Sequence, residues 1–418
     1  MIKYLCTFTL VLSFLSLCGQ PIPVKDNVST ARYPFINTIF NRVLNNTPLD
    51  SFYQKLYRLK TTGQGNVSVV HIGDSHIQAD FLSNEVRDGF QDFFGNAGRG
   101  LVFPYQLAKS NAPSDIISSS NTSWSYNRIA HPELGQPVGV SGFGIRTMVD
   151  GASINLAIRP DFTRGYQGFN KLKFFLDSTA GNGWMLDVEP NETPYMIRRE
   201  QGDTSIYQEV DLSRPGTGFT LVSLPGRAQH DFYGVSLENS SPGVIYHSIG
   251  VNGARYDQYN NATLFWHQLP ALNADLYIVS LGTNEAQRAA FAETAFLQEF
   301  NQFIDKLRMA SPHASILVTT APDSYKGRYS NKVLKALNTS LTKEANRLYL
   351  PCWDLYKITN GFGSAYSWSR RGLMSRDRIH FTAEGYRLQG QLLFNALAKG
   401  YNDYIESLQP RKLSEAGY

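Results

Sequence analysis

Cysteine is scarce in this sequence, which has three among its 418 residues. Cys6 and Cys18 lie in the amino-terminal segment, so Cys352 stands alone in the rest of the chain. One cysteine cannot form an intramolecular disulfide, and a cysteine-rich zinc site is excluded. Because Cys352 follows an apolar strand pattern, we interpret it as a small buried side chain and not as a nucleophile.

A strong excess of charge of either sign is also missing. The 39 Lys and Arg residues nearly balance the 35 Asp and Glu residues, for a net charge of +4. So small and scattered an excess argues against a nucleic-acid partner. Histidines outside the motifs described below lack the spacing of metal ligands, and we expect neither a metal nor another cofactor.

The one long apolar run is at the amino terminus. Lys3 precedes a mostly apolar stretch from Leu5 to Leu17, which is typical of a signal peptide and short for a membrane span. We therefore predict a signal peptide over residues 1–19 and export to the periplasm, the cell envelope or the outside, with no transmembrane segment in the mature chain. Leu17 stands where a lipoprotein box needs a small residue, so plain export is favoured over a lipid anchor at Cys18.

Patterns of two kinds divide the rest of the chain. Strands alternate with helices over residues 20–109 and again over 244–418, which predicts one α/β domain with a parallel sheet covered on both faces. Between them, residues 110–243 consist of short strand patterns separated by turn residues, which predicts an inserted β-sandwich or jelly roll. Its aromatic residues fit either a sandwich core or platforms for sugar rings: Trp124, Tyr126, Tyr166, Trp184 and Tyr195.

The first predicted strand of the α/β domain ends at a serine. Val67 to Ile72 is apolar and β-branched, Gly73 and Asp74 follow, and Ser75 comes before a helix pattern from Ala79 to Phe94. Functional groups of open α/β sheets collect at the carboxyl ends of strands. Taken alone, the motif fits a catalytic serine or an ordinary helix cap.

The glycine-rich stretch after this helix, Gly95 to Gly100, does not open a helix and is therefore not a phosphate loop. We interpret it as a turn. Arg99 within it fits a solvated side chain better than a contact to an anionic substrate.

Three further motifs follow later strands or precede the last helix. Gly253 lies in the loop after the second strand of the sheet, and Asn284 lies in the loop after the third. Asp377 and His380 come just before the last helix, for which Thr382 is the expected cap. The topology of a parallel sheet places the first two loops near Ser75.

These four motifs, in this order, resemble the four blocks of the SGNH, or GDSL-type, hydrolase family. The resemblance covers roughly residues 67–100 and 244–397 and implies a three-layer, flavodoxin-like α/β/α fold. It implies that Ser75 is the nucleophile, with Asp377 and His380 completing the triad. It also implies that Ser75, Gly253 and Asn284 form the oxyanion hole.

The chemistry requires these residue types. A serine hydroxyl needs an imidazole to accept its proton, and the imidazole needs a carboxylate to hold its tautomer. His76 and Glu285 depart from the usual family motifs, which points to a subfamily. We interpret His71 and His76 as structural histidines.

The chain combines predicted export, an inserted sandwich and the Gly-Asp-Ser-His motif. In this combination it most resembles the peptidoglycan O-acetylesterases of this family. That likeness implies a serine esterase acting on acetylated glycan, at the C6 oxygen of muramic acid. Deacetylation of other polysaccharides and O-acetyl transfer stay open as alternatives. From a different class, a catalytically silent glycan-binding envelope protein is the remaining alternative.

Overall fold

A computed structural model describes residues 20–23, 32–133, 135–159, 168–177, 183–190, 193–226 and 229–409. The predicted signal peptide, Cys18 and Tyr166 lie outside the described residues.

The α/β region contains the helices of the described chain, which pack around its strands. They are α1 (Asp50–Thr62), α2 (Ser75–Gln78), α3 (Phe81–Phe94), α4 (Tyr256–Asn260), α5 (Thr263–Gln268), α6 (Thr283–Gln287), α7 (Glu293–Ala310), α8 (Lys332–Arg347), α9 (Leu355–Ile358), α10 (Ser364–Arg370) and α11 (Ala383–Leu408). Short 3₁₀ turns occupy Thr38–Phe40, Thr47–Leu49 and Leu269–Leu272.

Strands form one parallel sheet, two antiparallel sheets and a small hairpin. They are β1 (Asn66–Gly73), β2 (Gly98–Val102), β3 (Ile116–Ser119), β4 (Ser125–Arg128), β5 (Phe143–Thr147), β6 (Ser153–Ile158), β7 (Phe169–Leu176), β8 (Gly183–Glu189), β9 (Tyr195–Arg198), β10 (Gln208–Gly216), β11 (Gly218–Ser223), β12 (His230–Glu238), β13 (Gly243–Gly250), β14 (Leu276–Ser280), β15 (Ser315–Thr319), β16 (Tyr325–Lys326), β17 (Tyr329–Ser330) and β18 (Cys352–Trp353).

The parallel sheet has the order β13-β1-β14-β15-β18. By position along the chain this is the order 2-1-3-4-5, the doubly wound arrangement of flavodoxin-like folds. Helices α1, α3 and α11 cover one face and α4, α7 and α8 the other. Both faces are therefore buried, which explains why the strands are mostly apolar. The predicted three-layer α/β/α fold is confirmed.

The predicted β-sandwich is confirmed between β1 and β13. One sheet has the order β10-β7-β12-β5-β4, with β2 also paired to β12, and the other has the order β3-β6-β11-β8-β9. The two sheets pack through aromatic side chains, with the rings of Phe174 and Phe219 5.5 Å apart and edge to face. Trp124 and Trp184 are buried, so they serve the sandwich core and not a sugar surface.

The stretch interpreted as a turn after α3 is instead strand β2, whose Val102 pairs with Val235 of β12. Arg99 in this strand is buried, contrary to the sequence interpretation. Its Nη2 atom lies 2.6 Å from an oxygen of Asp80, and the guanidinium also pairs with Asp115. This ion-pair network joins the turn after α2 to the sandwich, a tertiary relationship that the local pattern does not reveal.

Candidate active site

Ser75 lies at the carboxyl edge of the parallel sheet, at the first position of helix α2. Asp74 caps this helix, because its Oδ1 atom accepts a hydrogen bond from the backbone N–H of His76 at 2.9 Å. The helix packs tightly on β13, since a Cβ atom at Gly250 would lie 2.2 Å from the backbone nitrogen of Gln78. Glycine at the strand end thus allows the close approach that fixes the serine.

His380 and Asp377 meet Ser75 from the other end of the chain. His380 Nε2 lies 2.9 Å from Ser75 Oγ, and His380 Nδ1 lies 2.7 Å from Asp377 Oδ2. The other oxygen of Asp377 accepts the backbone N–H groups of Ile379 and His380 at 2.9 and 3.0 Å. The three side chains, which were predicted from two motifs, are therefore joined in the order that general-base activation of a serine requires.

These bonds also favour the charged form of Asp377. Partial burial opposes ionisation, but the bonds from the His380 ring and the two backbone N–H groups outweigh it and hold the pKa of Asp377 below its usual value. The carboxylate is thus available to orient the imidazole.

Asn284 lies between the turn before Ser75 and the loop of Gly253. Gly253 has φ +83°, a left-handed conformation that other residues adopt at a cost. The amide nitrogen of Asn284 donates to Asp74 Oδ2 at 3.2 Å and to the carbonyl of Ala254 at 3.0 Å. Asn284 thus connects the serine turn to the glycine loop, and an oxyanion would compete with these two acceptors for its N–H groups.

Glu285 fixes the same loop from the next position. Its Oε1 atom accepts the backbone N–H of Tyr256 at 2.8 Å, while its Oε2 atom has no hydrogen-bond partner among the described residues. Burial raises the pKa of Glu285 to about 7, and burial likewise raises the pKa of Asp74 to about 7. Two carboxyl groups beside the site therefore lie close to their point of titration at neutral pH.

His71 has a partner at each ring nitrogen, as predicted for a structural histidine, whereas the buried Nε2 atom of His76 has no hydrogen-bond partner among the described residues. His71 lies between Tyr246 Oη at 2.7 Å and Ser280 Oγ at 2.8 Å, and burial lowers its pKa to about 3. His76 Nδ1 lies 3.0 Å from Tyr386 Oη, and burial lowers the pKa of His76 to about 3 as well. Sequence reasoning missed Tyr386, because a tyrosine on an amphipathic helix carries no local signal of such a contact.

The inserted sandwich contacts the glycine loop directly. Ala130, which follows β4, accepts a hydrogen bond from Gln258 Nε2 at 2.7 Å. Its Cβ atom would lie 3.6 Å from a Cβ atom placed on Gly253. The sandwich region therefore packs against the loop that carries Gly253.

The described residues contain neither a membrane-spanning helix nor a cluster of metal-binding side chains. No helix in that part of the chain is long and apolar enough to cross a bilayer. Within the same residues, no three His, Cys, Asp or Glu side chains are grouped so that they could hold a metal ion.

One family model matches the second half of the chain. The model of the GDSL-like Lipase/Acylhydrolase family matches residues 214–388, a range that contains Gly253, Asn284, Asp377 and His380. No curated protein matches this chain in sequence.

Solved structures resemble the fold to different extents. A structure described as a peptidoglycan O-acetylesterase in action is 22% identical, with a TM-score of 0.71 over 84% of this chain and 96% of that chain. A lipase/acylhydrolase from Enterococcus faecalis is 19% identical over 38% of this chain and 77% of that chain, with a TM-score of 0.30. A family two carbohydrate esterase from Cellvibrio japonicus is 11% identical over 69% and 99% of the two chains, with a TM-score of 0.28.

The first of these structures shares its fold with most of this chain, including the sandwich region. Residues 214–388 are therefore similar to the GDSL-like Lipase/Acylhydrolase family, and most of the chain shares the fold of the peptidoglycan O-acetylesterase structure.

Proposed function

We propose that this protein is an exported serine esterase that removes O-acetyl groups from a glycan, with the C6 O-acetyl of muramic acid in peptidoglycan as its substrate. The observation that carries the esterase activity is the continuous series of hydrogen bonds from Ser75 through His380 to Asp377. This arrangement supports nucleophilic attack on an ester by an activated alcohol.

In the first half of the reaction, His380 takes the proton of Ser75 as the serine oxygen bonds to the acetyl carbon. The carbonyl oxygen becomes an anion, for which the N–H groups of Ser75 and Gly253 and the Asn284 amide are the proposed donors. Collapse of this intermediate breaks the bond to the sugar oxygen. His380 returns its proton to that oxygen, which leaves as an alcohol.

In the second half, water attacks the acetyl-serine. His380 accepts a proton from the water and then returns it to Ser75 Oγ as acetate leaves. Asp377 keeps the Nδ1–H of His380 directed toward itself, so that Nε2 faces the serine in both halves. The enzyme ends the cycle unchanged.

The substrate is supported less directly than the esterase activity. The likeness in fold to the peptidoglycan O-acetylesterase extends over the α/β domain and the sandwich together, which supports a related substrate. The apolar run near the amino terminus supports export, which would bring the protein to the cell wall.

Acetate release provides the test. Purified protein and its Ser75→Ala variant are incubated with O-acetylated peptidoglycan and with acetylated plant polysaccharides, and acetate is measured over time. The proposal predicts fastest release from peptidoglycan and none above background with Ser75→Ala. Faster release from the plant polysaccharides would contradict the substrate, and equal release by the variant would contradict the nucleophile.

A further inference from the structure

Three exposed arginines lie in or next to the loop that carries Asp377 and His380. Arg376 and Arg378 flank Asp377 in the sequence, and Arg328 lies at the tip of the β16–β17 hairpin. Among the described residues, none of the three forms an ion pair with a carboxylate. We refer to Arg328, Arg376 and Arg378 as the basic rim.

The hairpin is fixed to the catalytic loop on one side and to α6 on the other. The backbone N–H of Tyr325 donates to the carbonyl of Arg378 at 2.9 Å, and the Arg378 guanidinium lies 4.8 Å from the centre of the Tyr325 ring. Gln287, on the helix of Asn284, donates to the carbonyl of Tyr325 at 2.9 Å. Because three residues of chain span at most about 11 Å, Arg328 is held close to the same loop.

Carboxylates in this neighbourhood already have other partners. Asp377 bonds to the His380 ring, Asp257 pairs with Arg255 and Arg288, and the buried Asp323 accepts the backbone N–H of Ala365. The three arginines therefore have no carboxylate partner among the described residues. They are exposed in the loop that carries His380 and on the hairpin bonded to it.

Unpaired arginines next to a reaction centre suit an anionic ligand. A guanidinium binds a carboxylate through two parallel hydrogen bonds, and its charge raises the local concentration of an anionic polymer. Tyr329, next to Arg328, is 80% exposed and offers a flat face to a sugar ring.

We infer that the basic rim binds a carboxylate of the glycan near the acetylated sugar, so that the enzyme acts on acidic acetylated glycans in preference to neutral ones. This inference rests on the proposed esterase function and defines its substrate class. The carboxylate belongs either to the sugar itself or to an attached peptide.

The experiment compares kcat/KM for acetate release from O-acetylated peptidoglycan strands and from O-acetylated glucomannan, which is neutral. We expect a preference for the acidic glycan that weakens as salt rises, because exposed charges are screened. Arg328→Gln and Arg376→Gln should each lower the ratio of the two kcat/KM values by about two- to fivefold, the scale of one exposed ion pair. Strands with and without their peptides distinguish a sugar carboxylate from a peptide carboxylate.

Arg58→Gln serves as the control. Arg58 is exposed on the second half of α1, which leads to the start of β1, whereas Ser75 follows the end of that strand. It should leave the ratio unchanged. A ratio that neither rim variant changes would overturn the inference while leaving the proposed function in place. A wild-type preference for glucomannan would contradict the proposed substrate, and the inference with it. Acetate release from neither glycan would contradict the proposed function, and the inference with it.

Discussion

His380 Nε2 lies 2.9 Å from Ser75 Oγ, although 305 positions separate the two residues in the chain. The contact exists because α2 begins at the carboxyl edge of the sheet and the Asp377–His380 loop precedes α11, which packs beside α3. We predict that His380→Ala lowers kcat by about 10⁴-fold, because the serine loses its proton acceptor. Steady-state hydrolysis of an aryl acetate measures this, and a loss of less than tenfold would exclude His380 as the base.

Asp74 and Asn284 form the second relationship that bears on catalysis. In an Asp74→Asn variant the side-chain oxygen can still cap α2, but an NH₂ group then faces the Asn284 amide, so two donors meet. We expect kcat to fall about tenfold or more with little change in KM, because Asn284 loses the acceptor that orients it.

The matched control is Asp354→Asn, since Asp354 caps α9 through the backbone N–H of Lys357 at 3.1 Å. This variant should retain the wild-type kcat. Equal losses in the two variants would mean that Asp74 acts only as a helix cap.

Gly253 is predicted to be needed for its backbone conformation and not for lack of space. Among the residues that the structure describes, a Cβ atom there would meet only Ala130, at 3.6 Å, whereas φ +83° costs an L-residue about 1–2 kcal/mol. Gly253→Ala should therefore lose stability and, because the N–H at this position moves, about a hundredfold in kcat. Urea unfolding and aryl acetate hydrolysis measure the two effects.

Gly63→Ala provides the comparison, since Gly63 has φ +64° at the end of α1 with open space around it. A similar loss of stability with normal kcat is expected for that variant. Normal kcat in Gly253→Ala would remove residue 253 from the oxyanion hole.

Glu285 makes stability depend on pH. Its pKa is raised by burial from 4.5 to about 7 in the folded protein, so between these values the folded state keeps a proton that the unfolded state releases. The free energy of unfolding therefore falls as pH rises through this range, by up to about 1.4 kcal/mol per pH unit from this group. Urea unfolding at pH 5 and at pH 8 measures the difference in free energy of unfolding between Glu285→Gln and the wild type. This difference should shift in favour of the variant as the pH rises from 5 to 8. A difference that is the same at both pH values would contradict the buried, protonated carboxyl.

Much of the fold followed from sequence periodicity. The apolar run predicted from Val67 to Ile72 lies within one residue of each end of β1, because a parallel strand buried on both faces leaves a strong signal. Thr382 caps α11 as expected, with its Oγ1 atom accepting the N–H of Gly385. Short elements were missed: the two-residue strands of the β16–β17 hairpin carry too few residues for a period.

Residues whose role depends on distant partners were also beyond sequence reasoning. Arg99 looked solvated because its acidic partners, Asp80 and Asp115, lie in other elements. Tyr386 shows the same limit, since its contact to His76 joins α11 to α2. The four motifs could be found because each lies at a strand end or a helix start, which has a local sequence signal. The contacts between them depend on the tertiary structure.

Covalent labelling tests the central claim most directly. A serine-reactive fluorophosphonate is added to wild-type protein and to His380→Ala, and the labelled peptide is identified by mass spectrometry over time. The account predicts rapid modification of Ser75 in the wild type and modification slower by orders of magnitude in the variant. Label on another residue, or equal rates of Ser75 modification in the two proteins, would contradict it.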